Sequence, residues 1–388
     1  MSRKYFASLD GLRGLAILMV FCYHYFPHRG TGVFGYLCSG MWTGVDLFFV
    51  LSGFLITGIL FDTQKTAGFY KYFYVRRALR LFPVYLLFVF VILLIAHGPY
   101  GHSWALLGTP GHSWAVTLSY LLYGSNIIRF FNPGFVTVGP VSTGHLWSLA
   151  VEEQFYLVWP FLLSLLSTRK RILAASIVGS IGALALRLVL AHTYNGDQRF
   201  IYLELPTRAD SLLLGSILAM LYRDQSFMAK LRRGYGLHSI RIIGLVATTA
   251  FCAMAIHIHS FYFAAQPIDT WGLSLTAIAS GALLLLSLQD GTWTRRILST
   301  PLLRFYGRYS YGLYLIHFAF DHVFNTRVIP AMAKVIHPLQ LAQIVAFTCL
   351  LGTCTGVAVL SFHFIEKPFL ELKRHFEYRR APLVEKAT

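Results

Sequence analysis

Apolar runs of about the length that crosses a bilayer recur from one end of this sequence to the other. Ten are separable: 11–27, 42–61, 79–96, 145–166, 172–191, 210–222, 240–257, 271–288, 309–324 and 340–364. The sixth is short and the fourth carries two glutamates. A soluble chain of 388 residues would need far more polar surface than 13% charged residues supply against 56% hydrophobic ones. In hydrocarbon every backbone N–H and C=O must be satisfied within its own segment, so the runs are expected as helices. The expected fold is an all-α polytopic integral membrane protein with about ten transmembrane helices. Residues 1–370 form its membrane domain and 371–388 a basic cytoplasmic tail. Arg3 and Lys4 before the first run resemble the start of a signal peptide. Asp10 and Arg13 interrupt that run, however, and no small-x-small pattern follows His24, so it is expected to remain as helix 1.

Charge sets the expected orientation. With both termini on the cytoplasmic side, 25 of the 33 Lys and Arg residues fall on that face, 6 outside, and Arg13 and Arg187 within spans. The protein is expected as a multi-pass component of the inner (plasma) membrane, with the lipid bilayer as its partner. The net charge of +17 then lies on the inner face, where anionic ligands are met. A nucleic-acid partner is excluded, because no folded soluble domain carries that charge. Five cysteines without a C-x-x-C pair fit packing better than disulfides or zinc, and no metal site is expected. His102 and His112, in a repeated Gly-His-Ser-Trp, are read as interfacial anchors in a long external loop, 97–144, that overhangs the acceptor side.

Polar residues inside the runs carry the chemistry, since they are costly there. Arg13 and His24 are eleven residues apart, almost three whole turns, so they share one helix face about 16 Å apart. Arg13 is placed to hold a phosphate-bearing ligand near one membrane face while His24 works on its far end. Asp10, one turn from Arg13, is expected to pair with it. Arg76, Arg77 and Arg80 open helix 3; such a cluster fits phosphate binding and fits plain topological anchoring equally well. On helix 4, His145, Ser148, Glu152 and Tyr156 share a face, with Trp147 and Glu153 beside them. Glu152 or Glu153 is expected at the depth of His24, as a partner that orients its imidazole. Asp46 and Ser52 on helix 2 are further cavity candidates. Arg208 and Asp210 either contact an acceptor or pair with each other. Tyr311, Tyr314 and His317 share a face that lines a cavity or packs through hydrogen bonds.

The combination resembles membrane acyltransferase family 3. The segments concerned are Leu9-Asp10-Gly11-Leu12-Arg13-Gly14 with His24, Gly44-Val45-Asp46 through Ser52-Gly53-Phe54, and Arg76-Arg77-x-x-Arg80-x-x-Pro83. With them belong His145-x-Trp147-Ser148 through Glu152-Glu153-Gln154-Phe155-Tyr156, Ser310-Tyr311-x-x-Tyr314-x-x-His317, and Ile365-Glu366-Lys367-Pro368. The resemblance implies transfer of an acyl group, commonly acetyl, from acyl-CoA to a hydroxyl of a carbohydrate or sugar-bearing molecule. It matches Arg13 and His24 to the family's arginine–histidine pair, and Arg77 and Arg80 to its paired arginines. Acetyl-CoA is then a co-substrate rather than a permanently bound cofactor.

Arg13, Arg76, Arg77 and Arg80 would hold the coenzyme A phosphates. His24 would take the proton from the acceptor hydroxyl, with a covalent acyl-enzyme on His24, Ser52 or Ser148 as a variant. Cell-surface polysaccharide or lipopolysaccharide sugars lead as acceptors, ahead of a macrolide-type glycosylated small molecule. Some relatives carry a further soluble hydrolase-like domain; without one, transfer is expected to finish in the membrane domain or on a separate protein. A transporter or flippase is the alternative from another class, and a sensor without catalysis a third.

Overall fold

The computed structural model describes residues 6–27, 32–97, 113–131, 137–138, 141–193 and 199–377. His102, His112 and the last eleven residues of the expected tail lie outside that set. Ten longer helices order the fold: α1 (Ala7–Tyr25), α2 (Gly44–Thr63), α3 (Phe69–His97), α4 (Leu146–Leu166), α5 (Arg169–Thr193), α6 (Leu205–Tyr222), α7 (Gly234–His257), α8 (Leu273–Ser287), α9 (Pro301–His317) and α10 (Leu339–Ser361). Short helical turns link them, and the only strand pairing among the described residues joins Thr137–Val138 to Val141–Ser142.

Seven helical stretches among the described residues are long and apolar enough to cross a membrane; α1, α6 and α9 are not among them. The reason is physical. α9 has only 17 residues, and all three helices carry inward polar groups: Asp10, Arg13 and His24 on α1, Arg208 and Asp210 on α6, Tyr311, Tyr314 and His317 on α9. They sit at the centre, α1 against α9 and α2, and α6 against α2 and α5. By contrast α5 and α7 turn apolar side chains outward, with Val178 69% and Leu245 67% exposed. That inversion of the soluble pattern suits a multi-pass membrane protein.

The contact of α1 with α9 is made backbone to backbone. A Cβ on Gly14 would lie 1.9 Å from the Leu303 carbonyl oxygen, and one on Gly307 1.7 Å from that of Asp10. Only glycine permits so close an approach.

Buried charge joins the central helices on the other side. Arg208 of α6 and Asp46 of α2 are both fully buried and form an ion pair of 2.5 Å. Ser211 and Thr276 donate further hydrogen bonds to the same carboxylate at 2.9 and 3.0 Å. Asp210 instead pairs with Arg187 of α5 at 2.6 Å, and Arg187 also donates to the Thr207 carbonyl and to Ser274. The expected Arg208–Asp210 pair is therefore not formed. Nor do Asp46, Arg208 and Asp210 line any of the three chambers described below. Residues one turn apart or less on α6 point to different neighbours, and each finds its partner on another helix.

Candidate active site

Three chambers adjoin end to end along α1 and α9. The first, about 650 Å³, is lined by His24, His145, Trp147 and a broad aromatic wall that includes Trp42, Tyr202 and Phe263. The second, about 230 Å³, shares Val45 and Tyr314 with the first and holds Ser52, Ser148, Glu152, Tyr156 and Arg77. The third, about 560 Å³, shares Arg13, Arg80, Ser310 and Tyr311 with the second and adds Arg304, Arg308, Asp10 and Glu366. We refer to them as the His24, central and arginine chambers.

Helix geometry explains why one element reaches both ends. Arg13 and His24, both on α1, face the arginine and His24 chambers about 16 Å apart, as eleven residues at 1.5 Å each require. The face of α4 behaves likewise: His145 at its start lines the His24 chamber, while Ser148, Glu152 and Tyr156 line the central one. On α9, Tyr311 and Tyr314 line chambers and are also hydrogen-bonded, Tyr311 to the Leu81 carbonyl at 2.7 Å. Tyr311 and Tyr314 thus combine lining with packing, whereas His317 lines none of the three chambers.

His24 stands in a group of rings. Its centroid is 4.5 Å from Phe318 and 5.3 Å from His317, and His317 is 5.2 Å from His145. His317 is fully buried, with Nδ1 2.6 Å from the Tyr314 carbonyl oxygen, and His145 Nε2 lies 3.0 Å from that of Leu315. A carbonyl oxygen meets one nitrogen of each ring and so fixes the orientation of His145 and His317. Among the described residues no group of three His, Cys, Asp or Glu could hold a metal ion.

The expected His24–glutamate pair is not present. Glu152 accepts hydrogen bonds from Ser52 at 2.8 Å and Tyr156 at 3.1 Å in the central chamber, and Glu153 lines none of the three chambers. The reason is depth. His24 is next to last in α1, whereas Glu152 lies seven residues, roughly 10 Å, along α4 from His145. At the level of His24, α4 presents His145.

The arginines divide by role. Arg77 lies 3.9 Å over the Tyr156 ring, and Arg80 faces both the central and arginine chambers. Arg76 donates to the Lys373 and Phe376 carbonyls at 3.0 Å each and lies outside the three chambers, apart from Arg77 and Arg80. Asp10 and Arg13 pair at 2.9 Å, as expected. Sequence reasoning missed Arg304 and Arg308, taken only as loop charge. Their signal was available: with Tyr311 they follow i, i+4, i+7 spacing on α9.

Such a site can hold an anion at one end and present an imidazole at the other, with a smaller, largely apolar chamber between that carries Ser52, Ser148 and Glu152. A family model described as an acyltransferase domain matches residues 6–363. A Staphylococcus aureus protein provisionally named an O-acetyltransferase is 30% identical over 381 residues, covering 94% of this chain and 57% of its own. The peptidoglycan O-acetyltransferase of Listeria monocytogenes is 30% identical over 379 residues, with 95% and 56% covered. A Bacillus subtilis protein provisionally named a peptidoglycan O-acetyltransferase is 31% identical over 382 residues, with 94% and 55% covered. The chain thus spans a little over half the length of the curated relatives it matches. No solved structure matches it. The family model's reach from α1 through α10, over every residue of the three chambers but Glu366 and Leu370, shows that this chain belongs to the acyltransferase 3 family.

Proposed function

We propose that the protein is a membrane O-acyltransferase that moves an acyl group, acetyl first among them, from acyl-CoA to a hydroxyl of a carbohydrate acceptor. The observation that carries this reading is that the arginine and His24 chambers each share lining residues with the small central chamber between them. Guanidinium groups suit phosphate oxygens, which they meet in bidentate fashion. Arg13, Arg80, Arg304 and Arg308 would hold the nucleotide phosphates, and the pantetheine arm would run past Ser52 and Glu152 toward Tyr314. Its thioester would then reach the His24 chamber.

There His24 would take the proton from the acceptor hydroxyl as that oxygen attacks the thioester carbonyl. The carbon–sulfur bond breaks, the new ester leaves on the acceptor, and the imidazolium returns its proton to the coenzyme A thiolate. The aromatic wall of the His24 chamber offers flat faces to sugar rings. Two of the relatives are named for peptidoglycan, which supports adding glycan hydroxyls of the cell wall to polysaccharide and lipopolysaccharide sugars as candidate acceptors.

In this reading all ten helices cross the inner membrane and the arginine chamber opens to the cytoplasm, the side that carries 25 of the 33 basic residues. The acceptor approaches from the opposite face. Sealed inside-out vesicles test both parts. Labelled acetyl-CoA added outside should acylate a glycan acceptor trapped in the lumen, and lumenal acetyl-CoA alone should not. Labelling confined to acceptors on the donor's own side would refute the route, and no transfer from acetyl-CoA in any arrangement would refute the activity.

A further inference from the structure

Two acidic side chains line the arginine chamber, and they differ. Asp10 is committed to Arg13 at 2.9 Å. Glu366 is only 7% exposed, and its Oε1 has no hydrogen-bond partner. No ion pair within 4 Å joins it to an arginine among the described residues, although Arg80, Arg304 and Arg308 line the same space. Two features hold it there. Glu366 ends a π-helical segment, Phe362–Glu366, whose wider turn resets the direction of the side chain between α10 and Lys367–Leu372. Its Oε1 also packs on Gly312 of α9, where a Cβ would stand 3.2 Å away.

A buried carboxylate beside an anion site opposes phosphate binding unless it meets a group of its own. Phosphate oxygens only accept hydrogen bonds, and an ionised carboxylate also only accepts. Its complement is an N–H or O–H. Resting on the acyl-CoA reading above, we infer that Glu366 accepts a hydrogen bond from the nucleoside portion of the donor, an exocyclic amine or a ribose hydroxyl. The arginine chamber would thereby distinguish a nucleotide-bearing thioester from a plain phosphate ester. The nucleoside is favoured over the pantetheine amides because Glu366 lines the arginine chamber and not the central one, through which the pantetheine would pass. Glu366 is a specificity residue here, distant from the reacting atoms at His24.

The alternative, that Glu366 merely offsets the charge of the arginines, makes the opposite prediction. The full chain in liposomes should be titrated with coenzyme A and, separately, with 4′-phosphopantetheine, which lacks the nucleoside. If Glu366 reads the nucleoside, Glu366→Ala should weaken coenzyme A binding by about 10- to 100-fold and leave 4′-phosphopantetheine unchanged or slightly tighter. Glu366→Gln, nearly isosteric and still able to accept through its amide oxygen, should lose several-fold and guards against a folding defect in the alanine variant. Tighter binding of both ligands in either variant would overturn the inference in favour of charge balance. Equal weakening of both would assign the contact to the pantetheine portion and overturn it as well. Absence of coenzyme A binding by the unaltered protein would instead overturn the acyl-CoA reading itself.

Discussion

The Tyr314 hydroxyl lies 2.5 Å from Ser148 Oγ, tying α9 to α4 at the level where the His24 and central chambers meet. Ser148 also donates to the His145 carbonyl at 3.0 Å, so the hydroxyl pair joins the wall of one chamber to the backbone of His145, which lines the next. Removing the phenol oxygen in Tyr314→Phe should cost about 1 kcal/mol of stability, the net worth of one hydrogen bond, because Ser148 keeps its second partner. Thermal unfolding in detergent checks this. A loss above about 3 kcal/mol would mean that the junction depends on the pair far more than its hydrogen bonds imply.

Val45 forms the other side of that junction. Val45→Phe should narrow it without touching the arginines. Turnover should fall at least about tenfold while acetyl-CoA affinity holds, the pattern of a defect met after binding. Equal losses in turnover and affinity would show that the thioester does not pass this point.

His24→Ala should lower transfer by 10²–10⁴-fold, roughly 3–5 kcal/mol in the barrier, the usual cost of a lost general base. Acetyl-CoA binding should change little, since the arginines lie about 16 Å away. Single-turnover transfer measured beside equilibrium binding separates the two. Near-normal turnover would remove His24 from the chemistry.

Arg80→Ala should weaken acetyl-CoA binding, and added salt should weaken the unaltered protein in the same sense. Arg76→Ala should leave affinity unaltered and instead loosen the segment ending at Phe376, whose carbonyl it holds. Titration calorimetry and limited proteolysis distinguish the two variants. Equal affinity losses would restore Arg76 to the binding site.

Breaking the Asp46–Arg208 pair from one side should be costly. Asp46→Asn or Arg208→Met each strands a buried polar partner, with an expected penalty of about 3–5 kcal/mol. The double replacement Asp46→Leu with Arg208→Met should recover most of that loss, as measured by melting temperature. A double variant no better than the single ones would show that the charges do more than join α2 to α6.

The helices and the inward stripe on α1 were legible because both are local: apolar run length, and eleven residues at a fixed rotation. The partners of polar residues were not. Asp46 meets Arg208, 162 positions away, and nothing in either run marks the other. The assignment of Glu152 to His24 failed for a related reason. It compared depths in two helices whose ends were known only roughly, and the two turns or so from His145 to Glu152 separate a contact from none. Arg304 and Arg308 were hidden by their position at a helix start, where basic residues are expected on topological grounds alone. α1, α6 and α9 were found as apolar runs, yet their bounds shifted, because inward polar side chains, facing chambers on α1 and α9 and ion-paired on α6, dilute their hydropathy.

The glycine contact between α1 and α9 has a metric consequence. Backbone contact at Gly14 and Gly307 keeps Arg304 and Arg308 of α9 in register with His24 of α1, so the gap from guanidinium to imidazole is a gauge set by both helices. A thioester tethered at the arginines reaches His24 only if its arm spans that gauge. A truncated donor such as an acetylated cysteamine would have to arrive unanchored, and it gains nothing from being held at the far end. The length of the donor would therefore be selected by the pitch of a helix, before any contact with the acyl group is made.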